Sequence, residues 1–99
     1  MASLDYDKLP QQLRGGMYRY IEFGVLPGDF LVSVLSNDLR RSCEYADEQN
    51  RSRLFDIVYW LYNEAPSPCW GSAERIKAWV EARAPDREKA TPDAFARIP

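Results

Sequence analysis

The chain has 99 residues, 45% of them apolar and 13% aromatic, which is ample for one domain with its own core. A net charge of −2 and a pI near 5.1 exclude the strong electrostatic footprint of a dedicated nucleic-acid binder, though not a local basic patch. Histidine is absent, which removes the commonest general base and the commonest metal ligand together.

Residues 1–9 are polar and run into Pro10, so they read as a flexible lead-in. They have neither the basic start nor the apolar run of a signal peptide. A first helix is expected from Pro10 to Phe23, because Pro suits an opening turn and Leu13, Met17, Tyr20 and Ile21 recur on one face. Gly24 should close it in a left-handed cap. Gly15 and Gly16 inside this helix each cost about 1 kcal/mol against Ala, and close packing of a neighbouring helix is the expected reason. Asp29 is placed to cap FLVSVLSNDL, where Phe30, Leu31, Val34 and Leu35 share a helical face. A strand reading of FLVSVL finds no second strand to pair with. A bend near Ser36–Asn37 and a cap at Asn37 or Asp38 lead into a further helix to Ala46, with Leu39, Cys43 and Ala46 at helical spacing.

The central stretch is LFDIVYWLY, Leu54 to Tyr62, in which eight of nine residues are apolar or aromatic. Leu54, Ile57, Val58 and Leu61 form an aliphatic face, with Phe55, Tyr59 and Tyr62 as an aromatic one beside it. A helix that is apolar nearly all round is ordinarily buried. It is therefore expected as the core of the fold, spanning about 48–64 and capped by Asp47 or Asn50. Pro66 and Pro68 forbid its continuation. Ser72 should cap a last strong helix with Ile76, Trp79 and Val80 inward. From Ala84 the chain turns polar and Pro-punctuated and reads as a largely disordered tail, with Thr91-Pro92-Asp93 able to start one turn and Phe95 as its apolar hook. The expected fold class is all-α: a single compact bundle of four to five short helices at 10–83 around a central apolar helix, between the lead-in at 1–9 and the tail at 84–99.

Little in the chain points to catalysis. Cys43 and Cys69 stand in no CxxC pair and read as buried small hydrophobes, reduced in a cytoplasmic setting. No glycine-rich phosphate loop and no GxSxG motif is present. Nothing approaches the length of an apolar membrane span, so no membrane partner is expected. Glu44 and Glu48 would share a helical face beside Asp47, a set that suits a hard cation or acid–base work. Arg40, Arg41, Arg51 and Arg53 offer ion-pair partners at helical spacing, however, and the cluster reads as a solvated charged face. No catalytic residue, metal or cofactor is expected, and the chain does not read as an enzyme.

Two sets of residues suggest binding. Tyr and Trp are favoured interface anchors, and Tyr18, Tyr45, Tyr59, Tyr62, Trp60 and Trp70 exceed what one small core conveniently hides. Arg14, Arg19, Arg40 and Arg41 are the candidate nucleic-acid contacts, but acidic residues interleave with them and no single-sign stripe forms.

Three segments, RYIEFGVLPGDFLVSVLSNDL, YADEQN and LYNEAPSPCWGS, resemble a family of small all-α proteins from bacteriophages and mobile elements. The residues concerned are Tyr20-Ile21-Glu22, Gly24, Pro27-Gly28, Phe30-Leu31, Asn37-Asp38-Leu39, Ala46-Asp47, Asn63 to Pro66 and Trp70-Gly71-Ser72, within about 13–82. The resemblance carries no activity or catalytic residue across. It implies a mobile-element origin, where compact inhibitors of host or defence machinery are common.

The expected function is accordingly a non-enzymatic module that covers a surface on a host or phage protein. Tyr18, Tyr45, Tyr59 and Trp70 would supply anchors, with Asp38, Asp47 and Glu48 as acidic contacts. A small DNA-binding regulator is the alternative. A self-associating protein, a homodimer through Phe55, Tyr59 and Tyr62, comes third.

Overall fold

Pro10, expected in the opening turn, is instead the N-cap just outside the first helix, with ψ 138°, and α1 runs unbroken over Gln11–Phe23. The structure is a computed structural model and describes residues 4–89. Leu13, Met17, Tyr20 and Ile21 are all buried along one side of α1. Gly24 ends the helix at φ 67°, its N–H bonded to the Tyr20 carbonyl at 2.8 Å. A Cβ there would fall 2.6 Å from that of Arg83, so the position needs glycine for space as well as for conformation. At Gly16 the close neighbour is a side chain: a Cβ would lie 3.4 Å from Cδ1 of Leu31.

Six further helices follow among the described residues: α2 (Asp29–Leu35), α3 (Leu39–Tyr45), α4 (Glu48–Ser52), α5 (Leu54–Glu64), α6 (Ala73–Ala82) and α7 (Ala84–Lys89). No strand occurs among the described residues, so the chain is all-α and FLVSVL is helical. Gly28, not Asp29, occupies the N-cap of α2, and Asp29 lies in its first turn, where a carboxylate faces the positive end of the macrodipole. Asn37 adopts φ 64° and turns the chain. Three side-chain caps then fall where expected: Asp38 Oδ1 accepts the Arg41 N–H at 3.0 Å, Asp47 Oδ1 that of Asn50 at 2.7 Å, and Ser72 Oγ that of Arg75 at 3.1 Å.

The phase of α3 departs from expectation. Ser42 and Ala46 are buried, while Leu39 and Cys43 are exposed. The Asn37 turn and the Asp38 cap aim this short helix, and its inward hydroxyl is satisfied by donating to the Asp38 carbonyl at 2.8 Å. Cys69, by contrast, is fully buried.

The single helix expected over 48–64 is two. Arg53 breaks it at φ −113°, ψ 8°, donating its N–H to the Asn50 carbonyl three residues back. Asn50 is buried, and its Oδ1 accepts from Gln12 Nε2 at 3.2 Å, tying α4 to α1.

Two segments assigned to flexible ends are built into the fold. Within the lead-in, Tyr6–Lys8 forms a 3₁₀ turn and Tyr6 and Leu9 are core residues. The Tyr6 hydroxyl donates to Glu22 at 2.9 Å, Trp60 Nε1 donates to the Asp5 carbonyl at 2.8 Å, and Arg14 donates to the carbonyls of Asp7 and Leu9. At the other end, α7 occupies 84–89. Arg87 donates to the carbonyls of Phe23, Gly24 and Val80, satisfying acceptors that helix ends leave over. The expected turn at Thr91-Pro92-Asp93 and the Phe95 hook lie outside the described residues.

The core gathers α1, α2, α5 and α6 with the 66–72 loop. Tyr20, fully buried, donates its hydroxyl to the Cys69 carbonyl at 2.6 Å, and the Gly71 N–H reaches the Leu35 carbonyl at 2.7 Å. Trp79 Nε1 lies 3.2 Å from the carbonyls of Tyr20 and Ile21. Among the described residues no buried side-chain polar atom lacks a partner.

Candidate interaction surface

Successive residues of a helix turn by about 100°, so a residue four or seven places on returns to the same side. On α5, Ile57, Trp60 and Leu61 therefore share one side, and all three are buried. Phe55, Val58, Tyr59 and Tyr62 share the opposite side, and they are exposed by 83%, 37%, 60% and 76%. The helix is apolar on both sides, as its sequence suggests, but only half of it is in the core. The break at Arg53 and the Trp60 bond to Asp5 hold the helix in that orientation.

Shallow, open depressions border this face. One, of about 380 Å³, lies beside Tyr59 and is lined by Arg53, Asp56, Asn63 and Glu64 among others. Arg53 Nε and Asp56 Oδ2 pair there at 2.8 Å across one helical turn. The other, of about 400 Å³, joins Tyr62 to Asn37, Trp70 and Arg75. Arg75 Nη1 donates to the carbonyls of Ser67 and Trp70 at 3.2 Å each and so holds the loop that carries Trp70.

Of the residues singled out from sequence, Tyr59 lies on this face and half-buried Trp70 beside it. Tyr62 lines the second depression and buried Trp60 the first, whereas Tyr18, Tyr45, Asp38, Asp47 and Glu48 line neither. Tyr18 is half-buried in an aromatic cluster, edge-on to Tyr6 at 5.6 Å and to Phe23 at 6.0 Å between ring centroids. Asp38 and Asp47 serve as helix caps. Tyr45 and Glu48 are exposed near the α3–α4 junction.

The arginines also separate. Arg14 is engaged with the N-terminal segment, Arg40 pairs with Glu44 at 3.8 Å, and Arg41 pairs with Asp38 at 3.6 Å. Arg19 is half-buried and lines a hollow between α1 and α2.

A second apolar groove, of about 510 Å³, was not foreseen. Leu26, Val32, Ile76 and Val80 line it, with Asp38, Arg41, Lys77 and Glu81 also on its walls. No single stretch of sequence announces it, because its walls come from the α1–α2 connector, α2, the start of α3 and α6.

The groups with shifted acidity lie in the core. Burial pushes the Cys69 thiol up to about 12 and raises both the Tyr20 and Tyr6 hydroxyls above their ordinary value, Tyr6 with help from its bond to Glu22. These groups are held neutral and unreactive, which suits packing rather than nucleophilic work. Among the described residues no three His, Cys, Asp or Glu side chains gather to hold a metal, and no helix is long and apolar enough to cross a membrane.

No family model, curated protein or solved structure matches this chain.

Proposed function

We propose that this protein is a non-enzymatic binding module whose contact surface is the outward face of α5. The observation that carries the reading is the exposure of Phe55, Val58, Tyr59 and Tyr62 on one side of a helix whose other side forms the core. Large exposed aromatics at helical spacing, rimmed by polar groups, are how helices anchor on other proteins. The face carries no formal charge, so its complement is an apolar protein surface rather than a phosphate backbone. Arg14, one of the candidate phosphate contacts, is engaged with the carbonyls of Asp7 and Leu9, which weighs against the DNA-binding alternative at that position. The resemblance to small phage and mobile-element proteins extends the proposal to a modulator of host or defence machinery.

The test compares tagged parent protein with the Phe55→Ser/Tyr62→Ser double variant in capture experiments, with and without nuclease. The expected result is a protein partner that survives nuclease and is lost with the variant. Recovery of nucleic acid, or of a partner indifferent to the two substitutions, would remove the proposal.

A further inference from the structure

We infer that the outward face of α5 is covered by a second copy of this chain, in a symmetric antiparallel helix pair. The inference rests on the reading of α5 as a contact surface and names the partner. Three observations carry it.

The first is area. Aromatic side chains present about 150–250 Å² each, so the exposed fractions of Phe55, Tyr59 and Tyr62, with part of Val58, amount to about 500 Å². Two such faces, fully covered, bury at most about 1,000 Å², the lower limit for a specific interface.

The second is self-complementarity. A two-fold interface uses the same patch on both partners, so each residue must suit the one it meets. The midpoint of Phe55 and Tyr62 falls between Val58 and Tyr59. With the axis there, Phe55 of each copy meets Tyr62 of the other, and Val58 and Tyr59 lie at the crossing. Phe55 and Tyr62 are seven residues apart, about 10 Å along the helix, so both ring pairs form at once.

The third is charge. Exposed Arg51 flanks the N-terminal end of α5, where Arg53 is paired with Asp56 at 2.8 Å, and no charged residue stands among the four face residues. An antiparallel pair buries no charge, keeps the two sets of arginines at opposite ends and opposes the helix dipoles. A parallel pair would bring the arginines and both N-termini together.

The experiment uses the full chain with Cys43→Ser, which removes the exposed native thiol. Single cysteines are placed on the face: Val58→Cys, Phe55→Cys and Tyr62→Cys. Under mild oxidation, Val58→Cys should form a disulfide dimer readily, being next to the axis. Phe55→Cys and Tyr62→Cys should cross-link at least tenfold faster when mixed than either does alone. Sedimentation of the parent from low micromolar to submillimolar concentration should show mass rising from 11.5 kDa toward twice that, and Phe55→Ser/Tyr62→Ser should remain monomeric. A parent monomeric throughout, or cross-linking that ignores position, would overturn the inference. In that event, loss of a different protein partner with the double variant would still leave the contact-surface reading standing, and no such loss would remove both.

Discussion

On α5, Ile57 and Leu61 have no exposed surface, while Phe55, two residues before Ile57, and Tyr62, directly after Leu61, are exposed by 83% and 76%. Both sets are strongly apolar, so hydrophobicity cannot say which belongs inside. Polar geometry around the helix decides it. Arg53 ends α4 and restarts the chain in a new direction, and the Trp60 indole must reach the Asp5 carbonyl. Once the helix is held that way, the inward side is close-packed and the outward side meets solvent. The same chemistry therefore contributes to stability on one side and is available for association on the other.

That contrast is sharpest when an inward residue is truncated. Leu61→Ala should cost about 2–5 kcal/mol of unfolding free energy, the usual result of opening a cavity in a packed core, measured by urea denaturation. A variant as stable as the parent would mean that this side of α5 is not the core.

The tyrosines divide in the same way, with Tyr6 and Tyr20 inside and Tyr59 and Tyr62 outside. Alkaline pH addresses the inner pair and Cys69. In the fold, burial raises the pKa of Tyr6 and Tyr20 above their ordinary value of 10.0, and that of Cys69 from 9.0 to about 12. The unfolded chain releases these protons at the ordinary values. Between the unfolded and folded values it thus binds fewer protons than the fold, and stability falls as pH rises. The contribution is complete below about pH 9 and is lost above it, first through Cys69 and from about pH 10 through the tyrosines as well, at roughly 1.4 kcal/mol per pH unit per group. Thermal midpoints measured from pH 8 to pH 11 should fall with increasing slope. A flat or rising profile would contradict the burial of these groups.

What could be read in advance was local. The α1 stripe, the Gly24 stop, the Asn37 bend and the caps at Asp38, Asp47 and Ser72 all depend on residues within a few positions of one another. What could not be read depends on polar partners far apart in the chain. Tyr6 with Glu22, Trp60 with Asp5, and Arg87 with Gly24 turn two polar ends into parts of the fold, and no apolar pattern announces them. The inward Ser42 and outward Cys43 of α3 follow from a turn and a cap rather than from hydrophobicity. The candidate surface was legible as an apolar surplus, with Phe55, Tyr59 and Tyr62 set apart as an aromatic face. Which of the two faces lies in the core was not, because the sequence marks α5 as apolar nearly all round. Asp38 and Asp47 show the converse: carboxylates that suit a partner equally well on paper are already engaged as caps.

The central claim is that the outward face of α5 contributes nothing to the folding of one chain. Its most direct test is urea denaturation of Phe55→Ser/Tyr62→Ser beside the parent, both dilute enough to exclude self-association. The account predicts unfolding free energies equal within about 0.5 kcal/mol, as for surface substitutions generally. A loss of several kcal/mol at that dilution would place Phe55 and Tyr62 in the core of the single chain and contradict it.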